Sequence, residues 1–383
     1  MAIDFELTEA QQLTRESVRE FAAREIAPHV LEWDESQEFS PKLWGQLAEL
    51  GLLGCLVPEE LGGTGLGYQD FALVIEELAR IDPSVALSVA AHNSLPIGHL
   101  LVAGSEDHKR TYLPQLASGR MIGAWGLTEP EAGSDAGGTR TTAVRDGDQW
   151  VLNGSKNFIT NASFADLYVV MAVTDRAKGK KGISAFLVEA GTPGFAPGKK
   201  ENKLGMRASN TASVSFSDCR IPAGQLLGEL NQGFIDSLRV LDGGRIGIAA
   251  LSVGLAQGAY EAARDYALQR RQFGTRIADF QSIRFKLVDM DTQIEAARLL
   301  CWRAASRHDR GHETTKDSAS AKLFASEVAV RIAGEAVQVL GGYGFIKDFP
   351  VEKYYRDCKL LTVGEGTSEI QRLVIGRHIL PAP

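Results

Sequence analysis

Cysteine is scarce in this sequence and forms no metal-binding pattern. Only four cysteines occur among the 383 residues, at Cys55, Cys219, Cys301 and Cys358. They lie far apart, so none can belong to a CxxC or Cys/His ligand motif, which argues against structural zinc. The sequence therefore predicts isolated thiols, buried or incidental, in a reducing compartment.

An excess of positive charge is also missing. Lys plus Arg total 41 and Asp plus Glu total 48, giving a formal net charge of −7, which argues against a general nucleic-acid-binding surface. The N-terminus carries Asp4 and Glu6 where a signal or transit peptide would be basic. Because no apolar run reaches the ~18 residues that span a bilayer, we expect a cytoplasmic protein without membrane contact.

Motifs of several large enzyme classes do not occur. There is no G-x-S-x-G sequence, no Walker motif, no zinc motif and no ligand spacing among the histidines. These absences set aside serine-triad hydrolysis and metal catalysis, and no metal site is expected.

Three successive segments differ in their hydrophobic period. Helical periods predict helices over residues 41–50, 68–80, 84–103 and 105–118, after a first helix that begins with a capping box of Thr8 and Gln11. Short β-type runs separated by Gly, Asp and Asn follow at 150–152, 167–173, 183–188 and 212–216. Long helical patterns return over 232–270, 280–310, 316–340, 351–360 and 367–380.

These patterns predict a multi-domain α+β protein. An N-terminal all-α domain would cover residues 1–120, and a C-terminal domain resembling a four-helix bundle would cover 229–383. The middle domain, 121–228, would be an antiparallel sheet or small β-barrel, because no helices separate its strands.

The most informative stretch surrounds a single glutamate. Glu365 lies between Gly364 and Gly366, directly before a helix that Thr367 and Ser368 can cap. Backbone without side chains lets such a carboxylate approach a substrate closely, as a general base must. Taken alone, Glu365 is equally well explained as a favourable charge near a helix N-terminus.

Two further stretches suit a flat heteroaromatic ligand. Residues 125–135 combine small residues with the Thr128 and Ser134 hydroxyls, which could bind a ring edge or a phosphate, although a plain loop explains them too. In residues 156–161, Phe158 and Thr160 would share one strand face, where Phe158 could cover a cofactor or simply join the core.

Three glycine or arginine patterns lie on the C-terminal helices. Arg270, in an Arg-Arg-Gln-Phe-Gly run, suits either a helix C-terminus or a pyrophosphate. Gln338 precedes three glycines at a helix end, which favours close approach by a ligand. Gly243 and Gly244 cost about 2 kcal/mol within a helix, so they indicate either a kink or access for a ligand.

Taken together and in this order, the blocks resemble the acyl-CoA dehydrogenase family over nearly the whole chain. They are Leu127-Thr-Glu-Pro, Gly133-Ser-Asp, Lys156 to Asn161, Arg270-x-x-Phe-Gly, Gln338 with Gly341-Gly, Tyr355-Arg-Asp and Glu365-Gly-Thr. The resemblance implies the same α, β, α layout, non-covalent FAD, a homotetramer, an acyl-CoA substrate and an electron-transfer flavoprotein as electron acceptor.

The resemblance also implies a role for particular residues. Glu365 would be the catalytic base that removes the α-proton of the thioester, while the β-hydride passes to flavin N5. Cofactor contacts would come from Trp125, Leu127, Thr128, Phe158, Ile159, Thr160, Arg270, Phe273, Gln281, Gln338, Gly341, Gly342, Thr367 and Glu369, some of them across a subunit boundary. Substrate contacts would come from Ser134, Asp242, Arg245 and Gly366.

Two departures from the family pattern bear on substrate and mechanism. Some members carry the base at the position of Gly244, which cannot serve, so Glu365 is favoured. Gly364 stands where straight-chain enzymes often have tyrosine, which predicts room for branched or cyclic acyl groups. An acyl-CoA oxidase-like or nitroalkane-oxidising enzyme and a flavin-free thioester-binding protein are the competing interpretations.

Overall fold

The computed structural model of the protein describes residues 6–380. The acidic N-terminus used in the targeting argument lies almost wholly before that range, and residues 381–383 lie after it. The helical N-terminal segment contains α1 (Glu9–Phe21), α2 (Val30–Ser36), α3 (Lys42–Glu49), α4 (Tyr68–Ile81), α5 (Pro83–His92), α6 (Gly98–Ala103) and α7 (Glu106–Ala117).

The first helix begins with the predicted capping box. The Gln11 backbone N–H donates to Thr8 Oγ1 at 3.3 Å, and the Thr8 N–H donates to Gln11 Oε1 at 3.1 Å. Two of the donors that every helix start leaves free are thereby satisfied.

The predicted helix over 84–103 is divided into α5 and α6 by a single π-helical turn, Asn93–Ile97. Pro96 lies inside that turn and lacks the N–H that a regular α-helix would need there. The 21-residue stretch Pro83–Ala103 is long and apolar enough to cross a membrane, with a mean hydropathy of 1.3 in an 18-residue window. The expectation that no apolar run reaches that length did not include this stretch. Since 83% of that window is buried inside the protein, the stretch packs as a core helix.

The middle segment forms one eight-stranded sheet. Its strands are β1 (Gly123–Gly126), β2 (Thr142–Asp146), β3 (Gln149–Thr160), β4 (Leu167–Val173), β5 (Ile183–Glu189), β6 (Phe195–Lys200), β7 (Thr211–Pro222) and β8 (Leu226–Leu227). Their order is β6-β7-β3-β2-β4-β5-β8, with β1 paired to β4.

The prediction of an antiparallel sheet is wrong for two strand pairs, because β1 and β2 both pair with β4 in parallel. Parallel neighbours need a crossover connection, which here consists of the loops and the β2–β3 hairpin instead of a helix. The sheet curls over its own core, since Trp150 on β3 and Phe186 on β5 have ring centroids 5.2 Å apart. Helical segments thus flank a single curved sheet, as the α+β prediction required.

The C-terminal segment is helical apart from one short hairpin. It contains α8 (Gly233–Gln269), the hairpin strands β9 (Arg271–Gln272) and β10 (Thr275–Arg276), α9 (Gln281–Asp309), α10 (Thr315–Leu340), α11 (Val351–Leu361) and α12 (Ser368–Ile379). Each helix lies within one residue of its predicted bounds at both ends.

The two helical segments share one hydrophobic core. Helix α8 approaches α4 so closely that a Cβ on Gly254 would lie 2.2 Å from the Glu76 carbonyl oxygen, and one on Gly258 would lie 2.2 Å from that of Arg80. Arg298 on α9 also donates to the Glu76 carboxylate at 2.9 Å. Buried side chains of α4, α5, α8, α9 and α10 accordingly form one continuous cluster.

A buried ion cluster joins all three segments of the chain. Lys353 Nζ on α11 donates to Asp82 Oδ1 at 2.9 Å and to Asp357 Oδ2 at 2.6 Å. Asp357 Oδ1 also accepts the Met206 backbone N–H from the loop after β6. All three charged side chains are at most 1% exposed, so the cluster fixes the relative placement of the segments.

Candidate active site

The loop between α11 and α12 holds Glu365 in an unusual backbone conformation. Glu365 has φ +53° and Gly366 has φ +93°. Both lie in the left-handed region, which is unfavourable for residues other than glycine. As predicted, Thr367 caps α12 by accepting the Ile370 backbone N–H at 3.3 Å. The loop therefore turns sharply into the helix directly after the glutamate.

Two buried side chains hold the carbonyl groups of this loop. Gln371 Nε2 donates to the Gly366 carbonyl at 2.9 Å and to the Glu365 carbonyl at 3.2 Å. Lys322 Nζ, on α10, donates to the same Gly366 oxygen at 2.7 Å. The strained conformation is thus stabilised by donors from two different helices.

The Glu365 carboxylate lies against α8. A Cβ placed on Gly244 would come within 2.1 Å of Glu365 Oε2, so any side chain there would displace the carboxylate. On the preceding residue, a Cβ on Gly243 would lie 2.2 Å from the Tyr68 hydroxyl oxygen. Helix α8 runs through both glycines without interruption, and the two close approaches favour the interpretation that the pair gives access over the interpretation of a kink.

Burial sets the proton affinity of this carboxylate. Glu365 Oε2 is buried and has no hydrogen-bond partner among residues 6–380. Removal from water raises the pKa of Glu365 to about 7, while the cations of Lys322 and Arg245 act in the opposite direction. A carboxylate with a pKa near neutrality is a stronger base than one in water.

Two of the predicted substrate residues form an ion pair next to Glu365. Arg245 Nη1 donates to Asp242 Oδ1 at 2.7 Å, and the Thr315 hydroxyl donates to Asp242 Oδ2 at 2.5 Å. Arg245 is only 4% exposed, and its Nε has no partner within the described part of the chain. Asp242, Arg245, Gly366 and Glu365 therefore share one site, whereas Ser134 is exposed on the loop between β1 and β2.

One wall of the site is formed by Trp125, Leu127 and Thr128 at the end of β1, where hydrogen bonds hold the chain in place. The buried Trp125 indole donates from Nε1 to His99 Nδ1 at 3.0 Å. Lys156 Nζ donates to the Leu127 carbonyl at 3.2 Å and to Glu129 Oε1 at 2.7 Å, and all of these side chains are nearly inaccessible to water. The Thr128 carbonyl accepts the Asn157 N–H at 2.8 Å, which ties β1 to the end of β3.

A bulge at the end of β3 separates neighbouring side chains. The register with β7 shifts between Lys156 and Ile159, and Phe158 has φ +60°. Phe158 is consequently 66% exposed, so the core interpretation of this residue is wrong, while Ile159 is 3% exposed in the sheet core. Thr160 is partly buried, and Ile159 can offer a ligand only its backbone.

The arginine and glycine patterns come together at the far end of α8. Arg270, Gly341, Gly342 and Tyr343 line a cavity of ≈ 500 Å³, and the Arg270 guanidinium lies 5.6 Å from the Tyr343 ring centroid. A cation beside exposed glycine backbone is a donor set that fits the pyrophosphate of a dinucleotide cofactor such as FAD.

The remaining predicted cofactor residues lie at the surface. Phe273, at the tip of the β9–β10 hairpin, is 95% exposed with φ +51°, and Gln281, Gln338 and Glu369 are exposed as well. These side chains are available to a ligand or to another subunit, whereas Thr367 uses its hydroxyl in the helix cap.

Sequence patterns did not identify three residues that shape the site: Lys322, Gln371 and His99. The one available signal was a lysine within the apolar face of α10, where Ala321 and Ala325 are buried. Gln371 and His99 carry no comparable signal, because their partners Glu365 and Trp125 are known only from the fold.

The four cysteines are free and buried, as predicted. No group of three or more His, Cys, Asp or Glu side chains within residues 6–380 is arranged to hold a metal ion.

Family models and relatives cover almost the whole chain. The N-terminal, middle and C-terminal domain models of acyl-CoA dehydrogenase match residues 8–120, 124–219 and 231–380. The mitochondrial short-chain specific acyl-CoA dehydrogenase of Rattus norvegicus is 47% identical over 375 residues, covering 98% of this chain and 91% of that protein. A subunit of the caffeyl-CoA reductase-Etf complex of Acetobacterium woodii is 43% identical, covering 97% and 99%.

Solved structures show the same architecture. Butyryl-CoA dehydrogenase from Megasphaera elsdenii superimposes with a TM-score of 0.97 and 44% identity, covering 99% of this chain and all of that one. A glutaryl-CoA dehydrogenase from Mycobacterium smegmatis in complex with FADH2 has a TM-score of 0.93 and 32% identity, covering 98% and 96%. The chain therefore belongs to the acyl-CoA dehydrogenase family, whose members are FAD-dependent oxidoreductases of acyl-CoA thioesters.

Proposed function

We propose that the protein oxidises an acyl-CoA thioester to the trans-2-enoyl-CoA, with Glu365 as the base that removes the α-proton. The observation that carries this assignment is a buried carboxylate with an unpartnered oxygen and a pKa near 7, held against a helix that has no side chain at Gly244. Such a group accepts a proton at neutral pH and has no competing hydrogen bond to break.

The α C–H of a thioester is too weakly acidic for a carboxylate in water. The site therefore has to stabilise the carbonyl oxygen as negative charge develops, a role that the family resemblance gives to the Glu365 backbone N–H and an FAD hydroxyl. Bound FAD supplies the hydride acceptor for the β-carbon. Within the chain, Arg245 and Lys322 provide the positive charge around the base.

The residues that would hold FAD belong to two regions. The wall of Trp125, Leu127 and Thr128, together with the exposed Phe158 ring and Thr160, would face the flavin. Arg270, Gly341 and Gly342 would bind the pyrophosphate, with further contacts from Phe273, Gln281, Gln338, Thr367 and Glu369. No covalent attachment is proposed, and the 95% exposure of Phe273 supports contacts across a subunit boundary in a homotetramer.

The substrate we propose is a short acyl-CoA. The short-chain and butyryl-CoA names of close relatives support this choice. A branched acyl group is the second candidate, because a Cβ on Gly364 would meet only Leu360 atoms at ordinary contact distances of 3.6 to 3.8 Å. Since Gly364 has no positive φ, the backbone does not require glycine, and its missing side chain leaves space next to the base.

The electron acceptor we propose is an electron-transfer flavoprotein, supported by the Etf-containing complex of the Acetobacterium woodii relative. We further propose that the enzyme acts in the cytoplasm, in fatty acid or amino acid catabolism. Fast reoxidation by air with formation of peroxide would instead favour an oxidase.

Anaerobic titration with acyl-CoA thioesters, followed by bleaching of the flavin absorbance, tests the proposed reaction. We expect butyryl-CoA to bleach the wild type, and comparison of kcat/KM for butyryl-, isobutyryl-, 2-methylbutyryl- and octanoyl-CoA to rank the acyl groups. A clearly higher kcat/KM for octanoyl-CoA than for the other three thioesters would refute both proposed substrate classes.

Glu365→Gln tests the assignment of the base. The variant should retain FAD and lose about 10³-fold or more in the bleaching rate, because an amide cannot accept the proton. Glu60→Gln, at an exposed position, is the matched control and should react like the wild type. Near-native turnover by Glu365→Gln would disprove the role of Glu365.

A further inference from the structure

Lys322 is a lysine without a carboxylate partner at the centre of the protein. It lies on α10, is fully buried, and its Nζ donates to the Gly366 carbonyl oxygen at 2.7 Å. Among the residues that the structure describes, no carboxylate lies within ion-pair distance of this ammonium group. A buried ammonium group without a direct counter-ion is unfavourable for folding, so an explanation has to come from its surroundings.

Lys322 is surrounded by Glu365 and the loop that carries it. The carbonyl group that Lys322 binds belongs to Gly366, the residue after Glu365, and both residues have positive φ. The charged groups that act on Lys322 are Glu365, Arg245 and Glu369, of which Glu369 is exposed. Lys322 therefore contacts the loop through a hydrogen bond and acts on the base through its charge.

The electrostatic effect between Lys322 and Glu365 is reciprocal. Burial lowers the pKa of Lys322 to about 8, so the side chain is mostly protonated at neutral pH. Of the two cations that oppose the rise in the pKa of Glu365, Lys322 has the larger effect and Arg245 the smaller. Without Lys322, a greater fraction of Glu365 would be protonated at pH 7 and unable to act as a base.

Resting on the proposed role of Glu365, we infer that Lys322 is a positioning residue for the base: its hydrogen bond holds the left-handed loop, and its charge keeps the carboxylate ionised. The same loop offers a neutral counterpart, because Gln371 donates to the same carbonyl group at 2.9 Å without carrying a charge. A purely structural role would make the two residues equivalent.

The test compares Lys322→Gln with Gln371→Leu in the FAD-loaded enzyme. Lys322→Gln keeps a donor for the loop and removes the charge, so the acid limb of the kcat/KM profile should move upward by about 1 pH unit or more. Gln371→Leu removes a donor but leaves the charge, so it should lower kcat without moving that limb. Lys322→Met, with neither donor nor charge, should show both effects.

Difference infrared spectroscopy supplies a readout that does not depend on turnover. The protonated carboxyl band of Glu365, identified by its loss in Glu365→Gln, should titrate near pH 7 in the wild type and at higher pH in Lys322→Gln. An unmoved midpoint in Lys322→Gln would overturn the role of the Lys322 charge. Turnover by Glu365→Gln would instead overturn the proposed base, whatever the lysine variants do.

Discussion

Two buried lysines in this protein have opposite electrostatic environments. Lys353 is 1% exposed and bonds directly to Asp82 and Asp357, and these carboxylates raise its pKa above the ordinary value. Lys322 is just as buried but bonds only to a carbonyl oxygen, and burial lowers its pKa to about 8.

The difference shows how the same residue type can serve stability or catalysis. Direct pairing compensates the desolvation of Lys353 and fixes its neighbours in place. Glu365, the carboxylate that acts most strongly on Lys322, keeps an oxygen without a partner and remains available to a substrate. The buried lysine is thus paired directly with carboxylates where the segments join, whereas next to the proposed base it acts on a carboxylate only through its charge.

The largest expected effect is the loss of Lys353. Lys353→Met would leave Asp82 and Asp357 buried without a counter-ion, which should reduce the free energy of unfolding by about 3–5 kcal/mol. Urea denaturation at pH 7 measures this loss. Lys347→Met, which removes an exposed pair with Glu35, is the control and should cost less than about 1 kcal/mol. Equal losses in the two variants would contradict the role given to Lys353.

Gly244→Ala should have the next largest effect and act on catalysis alone. Its methyl group would overlap Glu365 Oε2 and displace the base, which should lower kcat/KM by about 100-fold. The stability should not fall in the same way, because alanine favours the helix. Gly247→Ala on the same helix, whose Cβ would lie 3.4 Å from the nearest Phe71 atom, should remain active. Similar activity of both variants would place the base elsewhere.

The smallest expected effect is the dependence of kcat/KM on pH. Because the pKa of Glu365 is raised to about 7 and the base has to be ionised, kcat/KM should fall about tenfold per pH unit below that value and level off above it. Lys353 should add no step to the stability over this range, since a cation with a raised pKa stabilises at any pH below its unfolded value of ~10.4. A flat kcat/KM between pH 5 and 8 would contradict the assigned proton affinity.

Local patterns in the sequence predicted most of the helices and marked Glu365 as a candidate base, a role that the family resemblance then favoured. The bounds of α8, the cap at Thr367 and the position of Glu365 directly before α12 follow from hydrophobic period and capping residues, which act over a few neighbours. The parallel pairing of β1 with β4 was missed because it joins strands that are not adjacent in sequence.

The residues that tune the site could not be predicted in the same way. Lys322 lies 44 residues from the carbonyl group that it binds, and Trp125 lies 26 residues from His99. The bulge that turns Phe158 outward likewise depends on pairing between β3 and β7. Such contacts exist only once helices and strands have packed.

The Lys353 cluster joins residues that lie far apart in the sequence, and this has a consequence for biosynthesis. Asp82 is separated from Lys353 by 271 positions, and the Met206 amide depends on Asp357, 151 positions further on. On the ribosome, both early groups emerge long before their partners exist. The junction between the N-terminal helices, the sheet and α11 is therefore completed only after α11 has been synthesised.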